Sequence, residues 1–461
     1  MRLIISLLAA IALLLAGLSA IFSGNSRDPG TVFPETEAPP LAASGGPSFT
    51  PRSMPEGPHE AGSIVISYNL SDVLQSPATN VWGGQQTRIA RLGEDLYLLF
   101  GTRVLGIDDE EYTLYRYSGA ANTWTRFYSL RSHEVPGLHI VGGRVYAAYR
   151  YTRGLGILEY DPDSDRITLH DSGIFWPTQH EKDHWAYMST GISGDRTIWF
   201  LGCGNINGTH GRPGSFAVYS YDTVTRAFGT GGAPRHHTDF RHCYNYILDG
   251  GEDGIVIAGE RDIFWNVSEW DMPEGAFGAI FDEINYWTFK DNKLSDIRRV
   301  DKAMQGQNCP APNAAINYAG DVFLDSNGCL HILYTLVSAH TGGRSQLWHA
   351  VYEDGMELKK ECLLDDGQQH SVRLVEDSEG QLYLVVLPYN SHTISLFTVD
   401  NQHEATLLKE IEIAGDDSIG LQYAGMAATV PRSGSEVADY VDVIYPNIDR
   451  TDWIYFRLQL K

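Results

Sequence analysis

Histidines recur at one position of a pattern that this chain of 461 residues repeats. The pattern is an apolar strand, a short turn of Gly, Asp, Ser or Asn, and a second apolar strand. About eight to ten residues before such a turn stand His133, His184, His242 and His370. Imidazoles gathered at one place can transfer protons near neutral pH or bind zinc or another transition metal. If the repeats surround a common axis, this spacing predicts a ring of histidines at one mouth of a channel.

In the other repeats, amide and aromatic side chains occupy the same position and would complete the ring. They are Gln85, with Arg88 farther along its strand, Asn317 or the nearby Asn313, and Gln422 with Tyr423. Amides, imidazoles and a guanidinium all hydrogen-bond polar ligands. We therefore predict that the substrate-binding residues are Gln85, Arg88, His184, Asn317, His370, Gln422 and Tyr423.

Three further residues join His133 as candidates for catalysis. Tyr187 follows His184 by three positions and can act as an acid or base if its phenol is activated; it can equally pack between repeats. Arg150 and Arg153 end the second strand of the His133 hairpin and can hold a carboxylate. The alternative for both arginines is a solvent-facing position.

One segment, Arg235–Tyr246, concentrates potential metal ligands. A zinc site built from His237, His242 and Cys243 is one interpretation, although the spacing fits no standard zinc finger. A polar loop with a buried thiol is the other interpretation. The sequence identifies no cofactor with certainty, and a structural zinc or calcium ion remains an open alternative.

Seven copies of the turn-and-strand pattern position these residues. They are Leu92–Phe100, Val141–Tyr149, Ser193–Leu201, Gly250–Ala258, Asp325–Tyr334, Asp377–Val386 and Arg432–Tyr445. Copies lie roughly 50 to 55 residues apart, and further strand-like runs follow each of them. One longer gap holds Arg261–Pro312, which we interpret as an insertion. Four strands at this period are typical of a propeller blade, so the chain is predicted to be an all-β, seven-bladed β-propeller.

The two ends of the repeat region support a closed ring. The seventh copy leaves room for only two strands after its turn, and a lone strand, Ser63–Tyr68, precedes the first copy. We expect this N-terminal strand to join the last blade and to remove the open edges of the sheet. The alternative architectures are a β-sandwich or two stacked all-β domains.

The amino-acid composition limits the classes of molecule that this protein can bind. The formal net charge is -24, with 58 acidic against 34 basic residues, which argues against nucleic acid. An acidic ligand would therefore need a locally basic cleft. The five cysteines are odd in number and sparse, so they form no disulfide framework, although one or two bridges remain an alternative to free thiols. The chain has no Gly-x-Ser-x-Gly elbow, P-loop or dinucleotide fingerprint.

The N-terminus predicts export. Residues 1–23 include an uncharged apolar run, Leu3–Phe22, typical of a signal peptide or an uncleaved anchor. Residues 24–62 form a linker rich in Pro, Gly and Ser. The propeller would occupy residues 63–461. We expect a secreted or cell-envelope protein that is monomeric and, if the apolar run is not cleaved, tethered to a membrane through its N-terminus.

The strand head His133-Glu-Val-Pro-Gly-Leu138, with its Gly turn and apolar strand, resembles the blades of secreted carbohydrate-active propellers with BNR-like repeats. That group includes seven-bladed ulvan lyases, rhamnosyl-glucuronate lyases and rhamnosidases, and the resemblance covers Ser63–Leu460 as a pattern. In the ulvan lyases a histidine heads one inner strand, a second histidine follows one hairpin later, and a tyrosine and an arginine come from the next blade. His133 matches the first histidine and Tyr187 the tyrosine.

At the other two positions the chain departs from that pattern. The second histidine falls at Thr152 or Arg153, and the arginine falls near Cys203. Arg150, Arg153 or Arg212 would supply the positive charge instead.

The resemblance implies an exported enzyme that cleaves a uronic-acid-containing polysaccharide by β-elimination. His133 would be base or acid, Tyr187 its counterpart, and Arg150 or Arg153 with Gln85 would hold the carboxylate. A glycoside hydrolase on the same scaffold is one alternative. A non-catalytic propeller that binds a glycan or a protein is another.

Overall fold

A computed structural model describes most of the chain from His59 onward. The described residues are 59–74, 84–106, 109–151, 154–172, 184–205, 214–229, 235–251, 254–264, 279–302, 317–337, 345–388, 391–413, 426–447 and 452–461. The segment at residues 1–23 and most of the linker lie outside them. Within these ranges no helix is long and apolar enough to span a membrane.

Seven separate antiparallel sheets make up the fold, which confirms the predicted seven-bladed β-propeller. The innermost strands are β2 (Ile89–Leu92), β6 (Gly137–Val141), β10 (His184–Ser193), β15 (Arg241–Asp249), β20 (Asn317–Leu324), β24 (His370–Glu376) and β28 (Ala427–Ala428). The second strands are β3 (Asp95–Gly106), β7 (Arg144–Tyr151), β11 (Thr197–Asn205), β16 (Ile255–Phe264), β21 (Leu330–Val337), β25 (Leu382–Pro388) and β29 (Tyr440–Pro446). Consecutive inner strands from β2 to β24 contact one another, and β28 contacts β2.

The third and fourth strands complete each blade. The third strands are β4 (Asp109–Ser118), β8 (Gly154–Asp161), β12 (Gly214–Asp222), β17 (Ala279–Lys290), β22 (Ser345–Glu353), β26 (Thr393–Val399) and β30 (Trp453–Gln459). The outer strands are β5 (Thr123–Ser132), β9 (Arg166–Asp171), β13 (Ala227–Phe228), β14 (Arg235–Thr238), β18 (Lys293–Leu294), β19 (Arg298–Lys302), β23 (Met356–Leu364), β27 (Ala405–Glu412) and β1 (Ile64–Asn69). The short helices are α1 (Leu70–Leu74) and a 3-10 helix, Pro431–Ser433.

Second strands are largely apolar because both of their faces are buried. In β7, Val145 and Ala147 pack in the cluster shared with blade 1. Tyr146 and Ala148 pack in the cluster shared with blade 3. Such strands read as continuous apolar runs rather than as alternating ones.

The long gap between the fourth and fifth repeats is not an insertion outside the blades. It holds the end of β16, all of β17 and the outer strands β18 and β19 of blade 4. Charged residues in these strands, such as Arg261, Asp282 and Glu283, interrupt the apolar pattern that marks the other blades. All three are involved in ion pairs at one end of the blade, and this is why the sequence pattern missed these strands.

Ring closure occurs as expected, because β1 pairs with β30 and supplies the outer strand of blade 7. A buried ion network then joins blades 1 and 7. The carboxylate of Asp442 is fully buried and accepts hydrogen bonds from Arg91 (2.8 Å), Arg457 (2.7 Å) and the Tyr455 hydroxyl (2.6 Å). The Tyr440 ring lies within 4.2 Å of the Arg91 and 3.9 Å of the Arg457 guanidinium carbon.

A side chain from the 3-10 helix crosses the propeller axis. Arg432 donates from Nε to Asp321 of blade 5 at 3.1 Å and from Nη1 to the Gln85 carbonyl of blade 1 at 2.8 Å. Its guanidinium also stacks on the Tyr246 ring of blade 4, 4.9 Å from the centroid. Arg432 and Asp321 are both buried, so this network occupies the centre of the channel and joins four blades.

Candidate functional site at the channel mouth

The head positions predicted from the sequence lie at or just before the starts of the innermost strands. His184, Asn317 and His370 are the first residues of β10, β20 and β24. His242 is the second residue of β15, and His133 precedes β6. These starts all lie at one end of the ring, because every inner strand runs in the same sense through its blade.

At blade 2 the structure brings together two of the catalytic candidates. The backbone N–H of His133 donates to the Arg150 carbonyl at 2.9 Å. The guanidinium of Arg150 lies 3.3 Å from the Glu134 carboxylate. The Ser132 hydroxyl accepts from the Arg150 N–H and donates to the Glu134 carbonyl. His133 is half-buried and the Arg150 side chain is 15% exposed, so the two backbones are fixed to each other and both side chains are partly accessible to solvent.

Gln86 ties the His133 segment to the Tyr187 segment of the next blade. Its side-chain N–H group donates to the carbonyl of Val135 at 3.1 Å and to that of Met188 at 2.8 Å. Val135 is two residues after His133, and Met188 follows Tyr187. One buried amide therefore holds these two strand heads side by side.

Below the mouth lies a basic floor, which we define as Arg88, Arg373 and Arg432. Arg373 donates to the carbonyls of Gly84 (2.9 Å) and Gly320 (3.0 Å), and also to that of Met426. Burial, with a smaller contribution from the charge of Arg373, lowers the pKa of Arg88 to about 10.

Arg373 and Arg432 donate to the backbone carbonyls of Gly84 and Gln85, and Arg432 also pairs with the Asp321 carboxylate. Three arginines thus lie close together within a strongly acidic protein, and an acidic ligand would require such a local concentration of positive charge. Gln85 is buried here too, with its carbonyl bonded to Arg432, and its Oε1 atom has no hydrogen-bond partner among the described residues.

A buried histidine that the sequence pattern missed, His139, lies beside Gln86. Thr190 Oγ1 donates to Gln86 Oε1 at 2.7 Å, so the 2.9 Å contact of Thr190 Oγ1 with His139 Nε2 needs a proton on that ring nitrogen. The Nδ1 atom is then a bare acceptor, and the described part of the chain offers it no partner. Burial, with the charge of Arg432, lowers the pKa of His139 to about 3. His139 is thus a neutral group that orients Thr190 and Gln86.

His370 forms a carboxylate–imidazole pair. Its Nε2 atom lies 3.0 Å from Asp366 Oδ2, which favours a proton on Nε2. Its buried Nδ1 atom is without a hydrogen-bond partner among the residues described. Burial lowers the pKa of His370 more than the charge of Asp366 raises it. His370 therefore offers a neutral acceptor nitrogen.

The predicted metal ligands His242 and Cys243 each have partners of their own. His242 Nδ1 donates to the Phe240 carbonyl and its Nε2 accepts from Asn285, both at 3.2 Å. The Cys243 thiol donates to Asp262 at 3.2 Å. Neither residue belongs to a convergent group of three metal-ligating side chains within the described ranges. The zinc site at His237, His242 and Cys243 stays a prediction.

Several predicted site residues lie beyond what the structure describes. Arg153, Gln422 and Tyr423 are outside the described residues, as are Thr152, Arg212, Asn313 and Cys309. For His184, Tyr187, Asn317 and His237 only the backbone is described. Of the four cysteines described, Cys203, Cys243 and Cys329 are buried and Cys362 is exposed, and all are free thiols.

At blade 4 the mouth carries a set of buried carboxylates that the sequence analysis did not select. Asp262 pairs with Arg241, and Asp282 and Glu283 both pair with Arg261. Charged residues inside otherwise apolar strands were the available signal for these residues and for Asp321 and Arg373, since a buried charge needs a nearby partner. Gln86 and Thr190 gave no such signal, because polar uncharged residues are common near strand ends.

Acid should destabilise the fold, because burial lowers the pKa values of His139 and His242 to about 3. Both are neutral in the folded protein, whereas the unfolded chain takes up their protons below about pH 6.5. The stabilisation is complete above that pH and is lost as the pH falls toward 3, at up to ~1.4 kcal/mol per pH unit for each histidine. Urea unfolding at several pH values between about 6.5 and 5 measures this slope. His139→Gln should reduce it, and a flat profile would contradict the assignment.

Comparison with known proteins supports the fold. No known family profile matches the chain, and no curated protein matches its sequence significantly. It is similar to the crystal structure of the polysaccharide lyase Uly1, with a TM-score of 0.50 and 10% identity over 83% of this chain and 91% of that one.

Two further solved structures are more distant. An α-L-arabinofuranosidase from Fusarium graminearum has a TM-score of 0.44 and 8% identity, covering 84% of this chain and 96% of that one. An acylaminoacyl peptidase from Pyrococcus horikoshii also has a TM-score of 0.44, with 12% identity over 82% of this chain and 54% of that one. At such identities these likenesses concern the fold alone, and membership of the BNR-like lyase group stays a prediction.

Proposed function

We propose that this protein is an exported polysaccharide lyase that cleaves a uronic-acid-containing glycan by β-elimination at the channel mouth. The observation that carries the proposal is the Gln86 amide bridge, which holds the His133 and Tyr187 strand heads side by side above the basic floor. The propeller similar to this chain at a TM-score of 0.50 is a polysaccharide lyase, and this favours a lyase over other activities on the same scaffold.

The reaction needs three groups, and each has a candidate. The uronate carboxylate would replace Glu134 as the ion-pair partner of Arg150. This pairing would make the C5 proton of the sugar more acidic. His133 would remove that proton, and the C–H electron pair would form the C4–C5 double bond as the C4–O4 bond breaks. Tyr187 would protonate the departing O4. The basic floor would favour the negative charge that develops on the uronate.

The proposal is tested by incubating the purified chain with ulvan and other uronate polymers. The expected result is an increase in ultraviolet absorbance from the unsaturated sugar, with one new double bond per cleavage. A neutral polymer of similar size is the control and should give no signal. Absence of the chromophore across the uronate panel would disprove the lyase.

A glycoside hydrolase is the second candidate, and the carboxylates of blade 4 favour it. Asp262, Asp282 and Glu283 lie together at the mouth, and most glycosidases use two carboxyl groups. Each of these carboxylates forms an ion pair with an arginine, so none is free of a partner as a carboxyl group acting on a glycosidic oxygen would need to be. Release of reducing sugar without the unsaturated chromophore would identify this activity. Binding without any cleavage would instead identify a glycan-binding protein.

A further inference from the structure

Away from the mouth, three potential metal ligands converge between blades 5 and 6. Asp325 lies in the turn after β20, His331 in β21, and His403 in the turn that follows β26. One ligand atom from each lies within 4.8 Å of the others. The His331 side chain is 1% exposed, while Asp325 and His403 are half-buried. The group is therefore anchored in the core and open to the surface on one side.

His331 belongs to a chain of four groups, in which two buried imidazoles lie between two half-buried carboxylates. Glu361 Oε1 lies 3.3 Å from His349 Nδ1, and His349 Nε2 lies 3.0 Å from His331 Nδ1. On the other side of the ring, His331 Nε2 lies 3.5 Å from Asp325 Oδ2. Two neutral imidazoles carry one N–H proton each, but the four groups form three contacts, and each contact needs a proton or a metal ion between its two acceptor atoms. One of the three contacts therefore lacks a proton, and a metal ion or a further proton can fill it.

The distances show which contact this is. The two shorter contacts, His349 to Glu361 at 3.3 Å and His331 to His349 at 3.0 Å, are both within hydrogen-bond distance. The His349 Nδ1–H then donates to Glu361 and the His331 Nδ1–H donates to His349. This leaves the lone pair of His331 Nε2 facing a carboxylate, and that buried atom has no hydrogen-bond partner among the described residues.

The remaining separation fits a metal better than a hydrogen bond. At 3.5 Å, the His331 Nε2 to Asp325 Oδ2 distance exceeds the usual N–H···O range of about 2.7 to 3.2 Å. Two ligands of a tetrahedral zinc ion lie about 3.3 Å apart, given bond lengths near 2.0 to 2.1 Å. A carboxylate–imidazole relay behind the ligating nitrogen is also the usual outer support of a metal-bound histidine.

A candidate fourth ligand, a thiol, lies beside His403 but outside the convergent group of three. The Cys329 sulfur lies 3.9 Å from His403 Nε2, and Cys329 is buried. Asp325 Oδ1 accepts the Cys329 backbone N–H at 2.7 Å, so the aspartate orients the loop that carries the thiol. Two imidazoles, a carboxylate and a thiol form a donor set that suits zinc and does not suit calcium.

We propose that Asp325, His331 and His403 bind one zinc ion that joins blades 5 and 6, and that the Cys329 thiol beside His403 moves in as the fourth ligand. The site is structural, since all four protein ligands close the coordination sphere. It is distinct from the zinc site predicted at His242, and it does not depend on the proposed lyase activity. Binding would displace the thiol proton and close the gap between β21 and the blade 6 turn that carries His403.

The test uses the full chain, stripped with a chelator and then titrated with zinc alone. We expect one equivalent bound, with a higher thermal midpoint. His403→Asn should weaken binding at least about tenfold, and it should fold, because asparagine tolerates the left-handed backbone of His403 (φ 60°). The matched control is His170→Asn, which removes a histidine that also contacts a carboxylate, Glu159, in another blade. This control should bind zinc as the unchanged protein does.

Cobalt provides a second readout. Cobalt-loaded protein should show a thiolate charge-transfer band that Cys329→Ser removes. No stoichiometric uptake by the unchanged protein, or equal uptake by it and by His403→Asn, would overturn the proposal. NMR of protein saturated with zinc gives a third readout. A His331 ring protonated on both nitrogens would also overturn the proposal, because a proton would then lie between His331 Nε2 and Asp325 Oδ2.

Discussion

Replacing His133 with asparagine should slow formation of the unsaturated product by about 10²- to 10⁴-fold, the usual contribution of one general acid or base. Asparagine keeps a polar side chain of similar size but cannot accept and release a proton. The backbone bond from residue 133 to the Arg150 carbonyl does not depend on the side chain, so the strand head should keep its position. Initial rates on a uronate polymer measure the effect.

The control for this substitution is a second half-buried histidine outside the mouth. His170 lies in the outer strand β9, where it contacts Glu159. His170→Asn should leave the rate on the uronate polymer unchanged. An equal rate loss in both variants would show that the effect is general, and an unchanged rate in His133→Asn would remove His133 from the catalytic group.

Replacing Asp442 with asparagine should reduce the free energy of unfolding by about 3 to 5 kcal/mol, as expected when one partner of a buried ion pair is removed. Burial raises the pKa of Asp442, but Arg457 and Arg91 outweigh it, so the pKa is lowered and the carboxylate is ionised. Asparagine would leave both guanidinium groups buried without their counter-ion. Because Arg91 lies in blade 1, the loss also weakens the closure of the ring. Denaturant unfolding measures the change.

An exposed ion pair provides the comparison. Asp222 pairs with Arg196, whose side chain is 50% exposed, and water can replace that partner. Asp222→Asn should therefore change the unfolding midpoint little. Equal changes in unfolding for the two variants would show that the Asp442 network does not stabilise the closure of the ring between blades 1 and 7.

The sequence alone determined the number of blades, the strand heads and the closure of the ring. The blades and strand heads are local features: a turn with glycine, such as Gly142 and Gly143 with positive φ, followed by a strand buried on both faces. Closure followed from the strand count, because the last repeat lacked one strand and a lone strand preceded the first. Turn chemistry and strand period are readable along the chain because they involve residues close in sequence. The placement of His133 and His370 at strand heads follows from the same register.

Only the tertiary structure decided which side chains meet. It brought Gln86 between Val135 and Met188, and it brought Arg432 across the axis to Asp321, contacts between residues far apart in sequence. It also showed that blade 4 includes charged strands. The physical reason is that pairing of buried polar groups depends on distance and dielectric, which spacing in one dimension does not encode. For the same reason, the histidine repeat pointed to the mouth, whereas the potential metal ligands that converge around His331 lie between blades 5 and 6.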